Sequence, residues 1–129
     1  MKKYKLFANV LNEQVWLNDM LAQAYTCTHV NLFLGYTFEK TAIKKVMRLD
    51  YRGYMSKEKY DEYIVAHEEF GWEHVYGNRF GSIHYWQKEE DGRDEMFSDQ
   101  TSQAAFYKRL SDYSLMLAMM FFYIHNHVS

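Results

Sequence analysis

The segment that follows Arg109 constrains the fold of this 129-residue chain more than any other feature. All 15 Lys and Arg residues lie at or before Arg109, and the last acidic residue is Asp112. From Tyr113 to Ile124 the chain reads YSLMLAMMFFYI, without a charged side chain. Because so much apolar surface is costly to leave in water, the segment either spans a membrane, lies on one, or packs against protein.

The length of this segment makes a full membrane span doubtful. A helix rises about 1.5 Å per residue, so residues 113–124 extend about 18 Å, against a hydrocarbon core of about 30 Å. A helix that did cross would leave Lys108 and Arg109 on the cytoplasmic side. We therefore predict a protein at the cytoplasmic face of the membrane, with a cytoplasmic protein as the alternative.

The same segment also carries a pattern suited to a partner helix. Apolar residues recur at alternating steps of four and three, at Phe106, Leu110, Tyr113, Leu117, Met120 and Ile124. The other faces beyond Tyr113 are apolar too, so burial in a homodimer competes with membrane association. The predicted contact residues in either case are Tyr113, Leu117, Met120, Phe121 and Ile124.

In the rest of the chain, segments with the two-residue period of a strand are interspersed with segments that have the 3.6-residue period of a helix. Alternation predicts strands at 3–10, 26–34, 36–40, 44–52, 72–76 and 80–88. Asn12 and Ser56 are predicted to cap the first two helices, and the third begins near Ser98 or Asp99. In the first helix Val15, Trp16, Met20, Leu21 and Ala24 recur at helical spacing and are expected in the core. The resulting order is β-α-β-β-β-α-β-β-α.

This order predicts an α+β fold, and a ferredoxin-like sandwich is its nearest common plan. We expect a mainly antiparallel sheet of about five to six strands, with two helices on one face and an apolar C-terminal helix. The short link at 41–43 predicts a hairpin between strands 36–40 and 44–52, and Gly77 begins a turn in a second hairpin. The α+β domain covers 1–97 and the helix 98–129, apolar from 113.

Composition excludes some functions. The net charge of −2 gives no basic field for nucleic acid. The single cysteine, Cys27, cannot form an intrachain disulfide and is predicted to be a small core residue. No motif predicts a catalytic residue, a metal ligand or a cofactor. His74 and His84 should lie close together on neighbouring strands; a zinc site that also included His29 is the weaker alternative to separate hydrogen bonds.

The aromatic residues of the predicted strands exceed what one face of a sheet needs. The surplus predicts a partly polar, aromatic surface that binds a small apolar ligand or a protein. Glu39 and Asp50 lie on the predicted hairpin with Arg48 near Asp50, and a cross-strand salt bridge is favoured over paired carboxylates for acid–base catalysis. The predicted ligand-pocket residues are Tyr36, Arg48, Asp50, Trp72, His84 and Trp86.

Several phrases of the chain occur together in one known family. They are WLNDMLAQAY at 16–25, YTFEK at 36–40, RLDYR at 48–52, YMSKEKYDEYI at 54–64, FGWEHV at 70–75 and MFSDQTSQAAFYKRL at 96–110. In their order and spacing, over roughly residues 3–110, they resemble the bacterial proteins of unknown function called DUF2812. The resemblance implies genes near PadR-type regulators and, in many members, transmembrane helices after a YKRL-like segment. It supplies no catalytic residues.

The chain departs from that family at two points. AQAY at 22–25 lacks the glycine expected between a helix and a strand, and the membrane part is reduced to one short segment. Our leading hypothesis is a non-enzymatic, membrane-associated sensing or regulatory domain of unknown ligand. The alternative is a soluble ligand-binding or homo-oligomerising domain whose C-terminal helix forms the interface. Expected partners are a membrane surface or bilayer, a second copy and a protein regulator, but no nucleic acid.

Overall fold

The computed structural model describes residues 1–7, 9–31, 35–93, 95–96 and 100–127. The strands are β1 (Lys2–Tyr4), β2 (Tyr25–Val30), β3 (Gly35–Lys40), β4 (Lys45–Tyr54), β5 (Glu73–Tyr76) and β6 (Phe80–Glu89). The helices are α1 (Val10–Ala22), α2 (Lys57–Glu68) and α3 (Gln100–His127). Their order along the chain is the predicted one. The predicted strand positions Ala8, Leu32 and Leu34 and the predicted helix starts Ser98 and Asp99 lie outside the described residues.

The strands form two separate three-stranded antiparallel sheets, in the orders β1-β3-β2 and β4-β6-β5. The predicted single sheet of a ferredoxin-like sandwich is therefore wrong. The edge strands β2 and β5 do lie side by side. Each carries an irregularity in its own ladder, between Cys27 and His29 in β2 and between His74 and Tyr76 in β5. Such irregularities twist a strand and misalign its backbone groups, which explains why β2 and β5 lie side by side but form no backbone ladder with each other.

The predicted hairpin between β3 and β4 is also wrong. β3 is the centre of the first sheet, between β1 and β2. β4 pairs instead with β6 along nearly its whole length, from Lys45↔Glu89 to Tyr54↔Phe80. The link that was expected to turn the chain back thus carries it from one sheet to the other. The hairpin of β5 and β6 is antiparallel, as predicted.

Helix α1 begins earlier than expected, because its cap is Asn9 rather than Asn12. The side-chain oxygen of Asn9 accepts hydrogen bonds from the backbone of Leu11 at 2.8 Å and of Asn12 at 3.3 Å. The buried residues of the helix are Val10, Glu13, Leu17 and Met20. Val15, which was predicted to lie in the core, is 58% exposed.

The first two helices cover opposite faces of the second sheet. The α1 side buries Met47, Leu49 and Tyr85 together with Leu17. On the other side, Tyr63 of α2 packs with Val46 and Trp86. The expectation of two helices on one face is therefore wrong. Since alternate residues of a strand point to opposite faces, the paired residues Asp50 and His84 lie on the α2 side.

Helix α3 contacts the domain only through its first half. Leu110 is buried, and the ring of Tyr113 stacks on that of Tyr51 with centroids 4.6 Å apart. Beyond Tyr113 the helix leaves the domain, and most of its side chains are exposed. Among the described residues, no helix is both long enough and apolar enough to cross a bilayer. This finding overturns the predicted membrane association through the C-terminal helix.

Candidate functional site

The free edge of β4 is closed by side chains of α1 rather than by another strand. The backbone N–H of Met47 donates to Asn18 Oδ1 at 2.8 Å, and its carbonyl accepts from Asn18 Nδ2 at 3.0 Å. One step along the same edge, the N–H of Leu49 donates to Gln14 Oε1 at 2.9 Å. These bonds satisfy backbone groups that an edge strand otherwise presents to solvent. They also fix the distance between α1 and the sheet.

A cleft of about 440 Å³ opens beside this edge, between α1 and the first turns of α3. It is lined by Leu11, Gln14, Val15, Asn18 and Asp19 of α1, Arg48 and Leu49 of β4, Gln103, Phe106 and Tyr107 of α3, and Glu95 and Met96. Several of its apolar members face solvent: Val15 is 58% exposed and Tyr107 59%. The cleft therefore has exposed apolar side chains on each helix, such as Val15 and Tyr107, and the polar side chains of Gln14 and Asn18 at its floor.

Behind the cleft, Asp50 is completely buried and fully hydrogen-bonded. Its Oδ1 accepts from Arg109 Nη2 at 2.8 Å, and its Oδ2 accepts from Arg52 Nε and the Tyr63 hydroxyl, both at 2.9 Å. The Tyr63 oxygen in turn accepts from Trp86 Nε1 at 3.0 Å. Burial is the main cause that raises the pKa of Tyr63, so its hydroxyl keeps the proton that it donates. The network joins β4, β6, α2 and α3.

The predicted cross-strand salt bridge is wrong, because Glu39 and Asp50 lie on β3 and β4, which do not pair. Arg48 and Asp50 sit two residues apart on β4, but the Arg48 Nη1 donates to the carbonyl of Met47 at 2.8 Å and the side chain lines the cleft. Asp50 takes its charged partners from Arg52, two residues along the chain, and from Arg109, 59 residues away. Asp50 does form salt bridges, but they join it to Arg52 of its own strand and to Arg109 of α3.

His74, which is half-buried, and His84, which is fully buried, are hydrogen-bonded to each other, so the favoured prediction of separate hydrogen bonds is wrong for this pair. Nε2 of His74 lies 2.9 Å from Nδ1 of His84. Burial, and to a lesser degree the neighbouring imidazoles, lowers the pKa of each histidine to about 4. Both rings are therefore neutral near pH 7, so one can donate its N–H to the other. His29 is separate, with its ring 6.5 Å from that of Tyr76, and no metal-binding group of three such residues occurs in the described part of the chain.

A second buried carboxylate, Glu13, was not foreseen. Its Oε2 accepts hydrogen bonds from the hydroxyl of Tyr36 at 2.6 Å and from that of Tyr85. Burial raises the pKa of Glu13, although the two hydrogen bonds act in the opposite direction. Because Tyr36 belongs to β3 and Tyr85 to β6, the carboxylate ties both sheets to α1. Its burial could have been predicted from helical spacing. In a helix that starts at Val10, Glu13 lies three residues later and therefore on the same apolar face.

The six predicted pocket residues do not form one site. Asp50, Trp72, His84 and Trp86 lie on the α2 side of the second sheet. Tyr36 lies on the opposite side, bound to Glu13. Arg48 alone among the six lines the cleft. Contact of any of them with a ligand stays a prediction.

The second half of α3 exposes a large apolar surface. Eight large apolar side chains between residues 115 and 124 are 45–71% exposed: Leu115, Met116, Met119, Met120, Phe121, Phe122, Tyr123 and Ile124. Only the later residues of the heptad stripe that was predicted to contact a partner helix are exposed. Its first members, Phe106, Leu110 and Tyr113, pack on the protein's own core. Tyr113 is thus an internal contact, while Met120, Phe121 and Ile124 remain available and Leu117 is half-buried.

The fold and these surfaces define an α+β protein of two small antiparallel sheets, with a buried ionic network and an exposed apolar helix. The family model described as a protein of unknown function (DUF2812) matches residues 9–120. The chain belongs to this family, which confirms the resemblance drawn from its phrases. No curated protein sequence and no solved structure matches the chain. Three of the sequence segments that resemble the family are in contact in the fold, because Asp50, Tyr63 and Arg109 each come from a different one and are hydrogen-bonded together.

Proposed function

We propose that this protein is a non-enzymatic, self-associating domain, in which the exposed half of α3 forms the interface between copies. The observation that carries this proposal is the set of eight large apolar side chains from Leu115 to Ile124, each 45–71% exposed. Contiguous apolar surface of this extent on a folded protein is typical of an interaction site.

The size of this surface fits a stable interface. A large apolar or aromatic side chain that is about 60% exposed offers about 100 Å² for burial. Eight of them offer about 800 Å², which is about what one partner contributes to an interface of standard size. Aromatic residues and methionine, which make up most of the set, are enriched at such interfaces.

A second copy suits this surface because of its charge. Residues 113–127 contain no Lys, Arg, Asp or Glu. Two copies can therefore meet there without repulsion between like charges, and a closed two-fold arrangement buries the same patch on both. The non-enzymatic part is supported by the two buried carboxylates. Asp50 and Glu13 are each occupied by donors of the protein itself, as expected of structural groups.

Sedimentation velocity of the full chain over a wide concentration range tests this function. We expect a reversible dimer, and we expect Phe122→Glu to raise its Kd at least about tenfold, because a carboxylate would enter an apolar interface. Phe70→Glu is the matched control, since Phe70 is 76% exposed against 71% for Phe122 but follows α2. A wild-type protein that is monomeric throughout, or an equal effect of both substitutions, would refute the proposal.

A further inference from the structure

We infer that the cleft between α1 and α3 receives the exposed half of α3 from a second copy, so that the two α3 helices run antiparallel. This inference rests on the proposed function and specifies where the partner's helix lies. The cleft and the exposed helix are separate observations in one chain: an unfilled groove that carries apolar side chains from α1 and α3 beside the charged residues Asp19, Arg48 and Glu95, and an uncovered apolar helix.

The distribution of exposed side chains around α3 favours a groove over a flat contact. At about 100° per residue, the exposed residues from Leu115 to Ile124 are spread around nearly the full circumference of the helix. A single neighbouring helix covers one side of such a segment and leaves the rest in water. The cleft offers contacts from three directions, namely from α1, from the edge of β4 and from α3.

The lining of the cleft can be covered without loss of hydrogen bonds at its polar floor. Gln14 and Asn18 already bond the backbone of β4, so an apolar helix placed above them removes no partner from those contacts. The apolar members gain burial: Leu11 is 38% exposed, Val15 58% and Tyr107 59%. Val15, which lies on the solvent-facing side of α1 with Asn12 and Asp19, is then covered by the partner.

The spacing along α3 fits a reciprocal arrangement. The cleft residue Phe106 and the middle of the exposed half, near Met119, are separated by about 20 Å along the helix. In an antiparallel pair whose two-fold axis passes between Asp112 and Tyr113, each Phe106 is level with Met119 of the other copy. Both clefts are then filled by one symmetric contact. The small, exposed residues Ala104 and Ala105 lie in the same stretch and leave room for the large side chains opposite.

The first test changes the cleft and leaves α3 intact. Val15→Lys places a charge in the cleft, and Val65→Lys is its matched control, because Val65 is 53% exposed on α2, away from the cleft lining. We expect Val15→Lys to raise the dimer Kd at least about tenfold and Val65→Lys to leave it unchanged. A dimer equally unaffected by both substitutions would overturn the cleft as the docking site while the proposed function stands. A wild-type monomer would overturn both.

The second test establishes helix direction by disulfide trapping. Tyr107 and Ala118 of opposite copies are level in the antiparallel pair, whereas two copies of Ala118 are about 16 Å apart along the axis. Under oxidising conditions we expect a covalent dimer from Tyr107→Cys/Ala118→Cys and none from Ala118→Cys alone. Cys27 does not interfere, because it is buried and burial raises its pKa to about 12. Efficient cross-linking of Ala118→Cys alone would show parallel helices and refute the inference.

Discussion

The guanidinium of Arg109 on α3 and the carboxylate of Asp50 on β4 share two hydrogen bonds, of 2.8 and 3.2 Å, across 59 residues of chain. Asp50 is completely buried, and the Arg109 side chain is 21% exposed. Arg109 also donates from Nε to the carbonyl of Tyr51 at 3.1 Å, which continues the closed edge of β4. The helical turn that contains Arg109, just before the apolar half of α3, therefore binds the helix to the sheet.

Replacement of Arg109 should destabilise the protein strongly. We expect Arg109→Ala to lower the free energy of unfolding by about 3 kcal/mol, because it leaves a buried carboxylate short of donors. Lys108→Ala is the control: its partner Asp112 is 2.9 Å away, but the two side chains are 76% and 62% exposed, so less than about 1 kcal/mol is expected. Urea denaturation followed by circular dichroism measures both. Equal losses in the two variants would contradict the assigned role of Arg109.

Gly77 should not tolerate a side chain. Its φ is +143°, and an added Cβ would lie 2.3 Å from Nδ1 of His84. Gly77→Ala must displace the buried ring of His84, and we expect it to lower the free energy of unfolding by at least about 2 kcal/mol. At Gly53 an added Cβ meets no atom within 4 Å, so Gly53→Ala should change stability by less than about 1 kcal/mol. Thermal unfolding that shifts equally in both variants would disprove this account.

Ala24 lies in AQAY at 22–25, the stretch that lacks the glycine expected between a helix and a strand. It follows α1 with a φ of +67°, a left-handed conformation that is costly for any residue with a Cβ. We expect Ala24→Gly to raise the free energy of unfolding by about 1 kcal/mol. Two residues earlier, Ala22 ends the helix, and Ala22→Gly should lower stability by about 0.5–1 kcal/mol. Effects of the same sign at both positions, measured by urea denaturation, would be incompatible with this geometry.

The histidine pair predicts how stability depends on pH. The pKa of His74 and of His84 is about 4 in the folded protein, against an ordinary value of 6.5. Between these values the unfolded chain binds more protons than the folded one, so the free energy of unfolding falls as the pH is lowered from 6.5 to about 4. Glu13 has the opposite effect, because its pKa is raised by burial and its protonation relieves a buried charge.

The contribution of the pair can be isolated by substitution. His74→Gln removes one of three histidines whose pKa is lowered by burial, the others being His67 and His84, and it leaves Glu13 in place. The pH-dependent fall in stability should therefore be smaller in the variant than in the wild type. Urea denaturation of both proteins at several pH values measures the difference. Parallel pH profiles would show that His74 does not carry a lowered pKa in the folded state.

Local features of the chain were predictable because they depend on near neighbours. The alternation at 80–88 gave β6, and Ser56 caps α2 by accepting from the backbone of Lys59 at 3.3 Å. The first helix shows the limit of this reasoning. Asn9 and Asn12 are both suitable caps, and selecting the later one moved Val15 into the predicted core and left Glu13 out of it.

The pairing of strands depended on distant residues and was not predictable from local patterns. The four-residue link before β4, at 41–44, is compatible with a hairpin, but β4 gains a longer ladder by pairing with β6. Asp50 likewise has Arg48 nearby in sequence, yet its second guanidinium comes from Arg109. For the same reason the cleft could not be foreseen, since it is formed by residues from α1, β4 and α3 that no single stretch of sequence contains.

The closed edge of β4 has a consequence for the fate of partly unfolded molecules. The amides of Met47 and Leu49 are held by Asn18 and Gln14 of one helix, not by a neighbouring strand. Detachment of α1 alone would therefore uncover the edge of β4 at Met47 and Leu49, which can recruit extended segments of other molecules, while Arg109 of α3 still holds the carbonyl of Tyr51. Two amide side chains thus protect this part of the strand from edge-to-edge aggregation.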